Sequence, residues 1–107
     1  MEYITVYTTL PDEDAARKVA SMMVEERLAA CANFFPIESV YRWKGKIEKA
    51  QEYVLIIKTR KRLYPKVEKK IREVHPYKLP AIISCKIERG LNEYLCWIKE
   101  TTEVRDE

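Results

Sequence analysis

One imidazole and three thiols are the side chains of this sequence best suited to a soft or borderline metal ion: His75, Cys31, Cys85 and Cys96. Imidazole suits Cu(II) and Zn(II), and its charge changes near neutral pH. A tight site needs three or four ligands, so His75 alone is not a site. Its companions would have to come from far along the chain or from a second subunit. The cysteines are odd in number and widely separated, which predicts free thiols in a reducing cytosol rather than a disulfide framework. Cys31 lies on the apolar phase of a strand and reads as a small buried thiol. Cys85 and Cys96 lie on inward phases of a strand and a helix and read as core.

Other chemistries lack their residues. A small metal-carrying domain needs thiolates paired on one loop, and Tyr7-Thr8-Thr9-Leu10-Pro11 has no cysteine. An RNA-binding sheet needs aromatics on its exposed central strands, but Tyr53-Val54-Leu55-Ile56-Ile57 is mostly aliphatic. A phosphate cradle wants glycines or an arginine at a helix N-terminus; the first helix here opens on Asp12, Glu13 and Asp14. No Ser/His/Asp or Cys/His/Asn grouping is legible by spacing.

The elements that must position any site are organised around Cys31–Thr59. The odd positions Cys31, Phe35, Ile37, Tyr41 and Trp43 alternate with polar ones, as in a half-buried strand. Gly45 marks the reversal. Tyr53–Lys58 is apolar on both faces, which places it centrally. Before this hairpin, Glu2–Thr9 alternates as a strand. A helix is expected to start at Leu10-Pro11-Asp12, with proline in its first turn, and to end near Leu28. After it, Leu63, Tyr64, Val67, Ile71 and Val74 stripe a helix starting close to Lys61, which Pro76 stops. Its basic half reads as a solvated face. Pro80–Ile87 is a further strand. Asn92 is the expected cap of a last short helix, and Thr101–Glu107 is expected to fray.

The order β-α-β-β-α-β-α, within one domain spanning 1–107, predicts an α+β, ferredoxin-like split βαβ fold: an antiparallel sheet with two helices on one face and a C-terminal helix beyond. The other face, bearing Tyr3, Tyr7 and one apolar side of Tyr53–Lys58, would be left open, which predicts association with other copies.

The totals agree with a folded domain. The 107 residues are 47% hydrophobic and 35% charged, enough for one core without staples. A net charge of +3 from 20 basic and 17 acidic residues gives no reason to expect a nucleic-acid or membrane partner. No signal peptide and no membrane span are expected. Abundant Lys, Arg and Glu with only two glycines resembles the composition of thermostable proteins.

Several short pieces then fall in one order: Thr8-Thr9 with Pro11-Asp12; Leu28-Ala29-Ala30-Cys31-Ala32-Asn33; Ser39 with Tyr41, Trp43, Gly45 and Lys46; Lys58-Thr59; His75-Pro76-Tyr77 with Pro80; Tyr94-Leu95 with Trp97. Together they cover nearly the whole chain, and in them the sequence resembles the CutA family of divalent-cation tolerance proteins. The resemblance implies a compact homotrimer, similar in architecture to the PII signalling proteins, with long hairpins exchanged at subunit edges. It implies tolerance of divalent metals, copper (Cu2+) especially, weakly bound, with no organic cofactor and no established reaction. In some bacterial members copper binding is ascribed to a cysteine at the end of the first strand and a pair of histidines before the proline. Here those positions hold Thr8 and Val74, and only His75 matches. The resemblance also groups Tyr41, Trp43, Lys58 and Tyr77 with His75, and with Cys31, around a cleft between subunits. An aromatic wall with one lysine and one imidazole would suit a small anionic ligand. The alternative for Tyr41 and Trp43 is interface packing. Two further readings are an enzyme with His75 or Lys58 as its acid–base group, and a trimeric scaffold for a partner protein.

Overall fold

The chain runs β1 (Tyr3–Leu10), α1 (Glu13–Glu25), β2 (Cys31–Trp43), β3 (Lys46–Arg60), a 3-10 turn (Lys61–Leu63), α2 (Tyr64–Val74), β4 (Ile82–Ile87) and α3 (Asn92–Thr102); the computed structural model describes residues 1–103. The four strands form one sheet in the order β2-β3-β1-β4, every neighbouring pair antiparallel. Two β-α-β units therefore interleave, β1-α1-β2 around β3 and β3-α2-β4 around β1. This is the expected ferredoxin-like arrangement.

Strand alternation decides what is buried. Ile4, Val6 and Leu10 of β1 and Leu55 and Ile57 of β3 share a core with Ala16, Val19, Ala20 and Met23 of α1 and Val67 and Ile71 of α2. Each large aliphatic side chain so buried contributes about 1.5–3 kcal/mol before entropy is counted. On β2 it is Ala32 and Phe34 that pack against this core. The odd positions, Cys31 through Trp43, share the face of Val54 and Ile56, away from α1 and α2.

Several boundaries differ from expectation. Asp12, not Pro11, opens α1: its side chain accepts the N–H of Ala15 at 2.8 Å, and the proline stands outside the helix. The helix ends at Glu25, earlier than Leu28, because Arg27 adopts a left-handed φ of 59°. There the N–H of Leu28 donates to Met23 O and that of Arg27 to Val24 O, a Schellman closure built without glycine. The chain does turn helical at Lys61, but as a 3-10 turn that becomes α2 only at Tyr64. β4 starts at Ile82 rather than Pro80. α3 begins at Asn92, so Leu91 holds the cap position expected for Asn92.

The face opposite α1 and α2 is not wholly open. α3 packs on β3 there and buries Ile98. Its end is fixed, not frayed: Arg60 donates through Nε to Thr102 Oγ1 at 2.8 Å and through a terminal nitrogen to Thr102 O at 3.1 Å. Thr102 is only 1% exposed; residues 104–107 of the tail expected to fray lie outside the described residues. What α3 leaves uncovered includes Phe35, 45% exposed, and Ile83, 56% exposed. Cys85 and Cys96, read from the sequence as core, are both exposed in the chain. Cys85 pairs across from Thr5 on the uncovered side of the sheet, so its strand phase meets no second layer among the described residues.

Candidate functional site

The hairpin reaches well past the sheet. β2 and β3 pair without interruption from Cys31↔Lys58 to Trp43↔Lys46. Lys44 and Gly45 close the turn with φ of 50° and 78°, the positive pair that a two-residue type I′ turn requires. Along β3, β1 reaches only Tyr53–Arg60, so β3 continues seven residues beyond it with β2 as its partner.

Where β1 stops, a strap from His75 to Ala81 crosses. Pro76 forces His75 out of helical geometry, and its backbone is extended at φ −73°, ψ 132°. The buried His75 ring is then held from both sides by backbone. The N–H of Tyr77 donates to Nδ1 at 3.1 Å, so the ring proton sits on Nε2, which donates to the carbonyl of Thr9 at 2.7 Å. The imidazole is neutral and satisfied. Burial pushes its pKa below the ordinary histidine value, against the opposing pull of the Thr9 carbonyl and the Glu52 carboxylate. The Tyr77 ring packs on it with centroids 4.9 Å apart. The Tyr77 hydroxyl donates to Glu52 Oε2 at 2.8 Å, and burial, followed by the bond to Glu52, pushes its pKa up well beyond the usual phenol value.

Between strap and hairpin lies a cleft of about 1030 Å³. Tyr7 and Thr9 of β1 and Glu52 of β3 line its base; Tyr41 and Trp43 of β2 wall one side and Pro76–Ala81 the other. Its charged groups are Glu52, Glu38 and Lys78. This composition suits a ligand with an apolar body and a polar or charged tip.

The six residues named from the sequence thus separate. Tyr41, Trp43 and Tyr77 meet in the cleft, and His75 stands behind it as the anchor of the strap. Cys31 and Lys58 lie elsewhere, under α3. Cys31 is half-buried rather than buried, its Sγ 3.7 Å from the Tyr94 hydroxyl and 3.8 Å from Asn33 Oδ1, while Lys58 Nζ lies 5.7 Å from the Tyr94 ring centroid. Lys58, expected at a cleft between subunits, does not line this cleft within the chain. Glu52 was missed. Its only signal is a carboxylate at the head of an apolar run, on the phase of Val54 and Ile56.

A copper or other divalent ion fits these residues poorly. His75 could ligate only by giving up a backbone bond, since Nδ1 has its lone pair engaged and Nε2 carries the proton. Among the described residues no group of three or more His, Cys, Asp or Glu side chains is placed to hold a metal ion.

Interleaved β-α-β units, one four-stranded antiparallel sheet and a long β2-β3 hairpin define an α+β chain of the ferredoxin-like class. The chain matches the family described as CutA1 divalent ion tolerance protein over residues 4–101, and it belongs to that family. It is 44% identical over 98 residues to the divalent-cation tolerance protein CutA of Archaeoglobus fulgidus, covering 92% of this chain and 96% of that one. The solved structure of the Archaeoglobus fulgidus protein, described as periplasmic, superposes with a TM-score of 0.93 at 42% identity, over 94% of this chain and 99% of that one. The structure from Thermus thermophilus, also described as a divalent cation tolerance protein, gives a TM-score of 0.92 at 41% identity, over 94% and 99%.

Proposed function

We propose that this chain is a subunit of a cytosolic, PII-like homotrimer that acts in divalent-cation tolerance as a binding protein, taking a small ligand in the cleft between β2 and the strap. The cleft carries the reading: an aromatic wall over a buried carboxylate, beside a strap pinned by a neutral histidine, is built to hold a molecule. The assembly follows from the uncovered apolar face with Phe35 and Ile83 and from the free β3 edge along the overhang, both of which other copies would shelter. The three free cysteines suit a reducing compartment. The names of the relatives supply the link to divalent cations.

Copper enters this reading as a weakly bound ion, because His75 is committed to backbone. Light scattering at micromolar dilution is expected to give three times the subunit mass, and a stable single subunit would end the proposal for assembly. Cu(II) titrated into the protein and into a His75→Ala variant is expected to bind with equal, weak affinity. A clear loss in the variant would make His75 a ligand after all.

A further inference from the structure

Glu52 is only 8% exposed. One of its oxygens is taken by the Tyr77 hydroxyl. Among the described residues no hydrogen bond engages Oε1, and Glu52 lines the cleft. Among the described residues no ion pair includes Glu52. A carboxylate with one oxygen held by a neutral donor and the other free beside the cleft offers an acceptor with no ion-pair partner among the described residues. A cation in the cleft would be bound there by a charge-assisted contact.

The walls select which cation. A divalent metal ion asks for several oxygen ligands, commonly more than one of them a carboxylate, and Glu52 is the one buried acid in the lining. Tyr7, Tyr41, Trp43 and Tyr77 present rings instead. Aromatic faces attract a diffuse, weakly hydrated positive charge, and tryptophan does so best. Lys78 and Glu38 also line the cleft, but both are exposed, and their opposite charges leave Glu52 as the dominant field.

We infer that the cleft takes a small organic cation, an alkylated ammonium headgroup, with Glu52 as its counter-ion and the Trp43 and Tyr41 rings as its wall. This rests on the cleft being the ligand site and names the class of ligand. It replaces the anionic ligand that Lys58 would have required.

Choline and its neutral carbon isostere 3,3-dimethyl-1-butanol are suitable probes, titrated into the full chain by calorimetry and by amide chemical shifts, with benzoate as an anionic control. Choline is expected to shift the Tyr41, Trp43 and Tyr77 amides and to bind at least about tenfold more tightly than the isostere. Glu52→Gln keeps an acceptor for Tyr77 and is expected to lower choline affinity about tenfold or more. Trp43→Leu, at an exposed position, is expected to lower it as well without affecting the fold. Equal binding of choline and the isostere, or unchanged affinity in Glu52→Gln, overturns the inference. Benzoate binding that is lost in Trp43→Leu, with no choline binding, overturns the cation while leaving the cleft as a ligand site. No shift of cleft amides by any of the probes overturns the cation and counts against the cleft itself.

Discussion

The hydroxyl of Tyr77 donates to Glu52 across 2.8 Å, and this bond ties the strap to the overhanging part of β3. The two residues are 25 apart in sequence, and neither α2 nor β4 intervenes between them in space. Tyr77→Phe keeps the ring on His75 but leaves the buried Glu52 oxygen without its donor. A loss of about 1–3 kcal/mol is expected, read as a lower denaturant midpoint at unchanged slope. A variant as stable as the parent would mean that water takes over the bond.

His75 makes stability depend on mildly acid pH. The fold holds the ring neutral, with a pKa below the ordinary 6.5, so in that range the unfolded chain takes up a proton the folded chain refuses. The contribution is complete above about pH 6.5 and is lost as pH falls toward the folded pKa, below which it levels off. Protonating Nδ1 also removes the acceptor for the Tyr77 N–H, so the strap is where loosening begins. NMR titration of the single imidazole is expected to give a pKa below 6.5. Urea midpoints should fall as pH drops below about 6.5, and this slope should vanish in His75→Gln. An imidazole titrating at or above its ordinary value would contradict the geometry.

Arg60 anchors the last helix. It is 6% exposed, and among the described residues no ion pair includes it and its hydrogen bonds go to Oγ1 and the carbonyl of Thr102. Thr102→Val removes the hydroxyl and is expected to cost about 1.5–3 kcal/mol, the range for hydrogen bonds to charged groups. Amide hydrogen exchange should quicken in α3 while β1 and β3 keep their protection. Uniform quickening across the sheet would mean that the helix and the core unfold together.

Thr8 offers the opposite sign. Its side chain is buried, and among the described residues Oγ1 has no hydrogen-bond partner. Thr8→Val replaces the orphan hydroxyl by a methyl of similar shape and is expected to raise stability by about 1 kcal/mol, seen as a higher thermal or denaturant midpoint. A loss instead would show that an ordered water satisfies the hydroxyl.

Periodicity and turn chemistry in the sequence suffice for the element order, the central place of β3, the reversal at Gly45 and the face of β1 and β3 that meets the helices. Each of these depends on neighbours a few residues apart, which is the range over which alternation and backbone preference act. The early end of α1 had no such sign, because Arg27 takes a conformation usually marked by glycine, and its side chain is held by the carbonyl of Thr101 at 3.0 Å.

The candidate site was legible only in part. Tyr41, Trp43 and Tyr77 could be named from their resemblance to a family pattern, but which of the six residues share a cleft depends on where β1 stops and the strap crosses. That geometry brought in Glu52, placed Lys58 and Cys31 beneath α3, and held the His75 ring between two backbone groups. The burial of a charge, the engagement of a lone pair and the exposure of Cys85 are decided by residues far away in sequence. Alternation says which side of a strand a residue takes; only the packed layers say whether anything lies on that side.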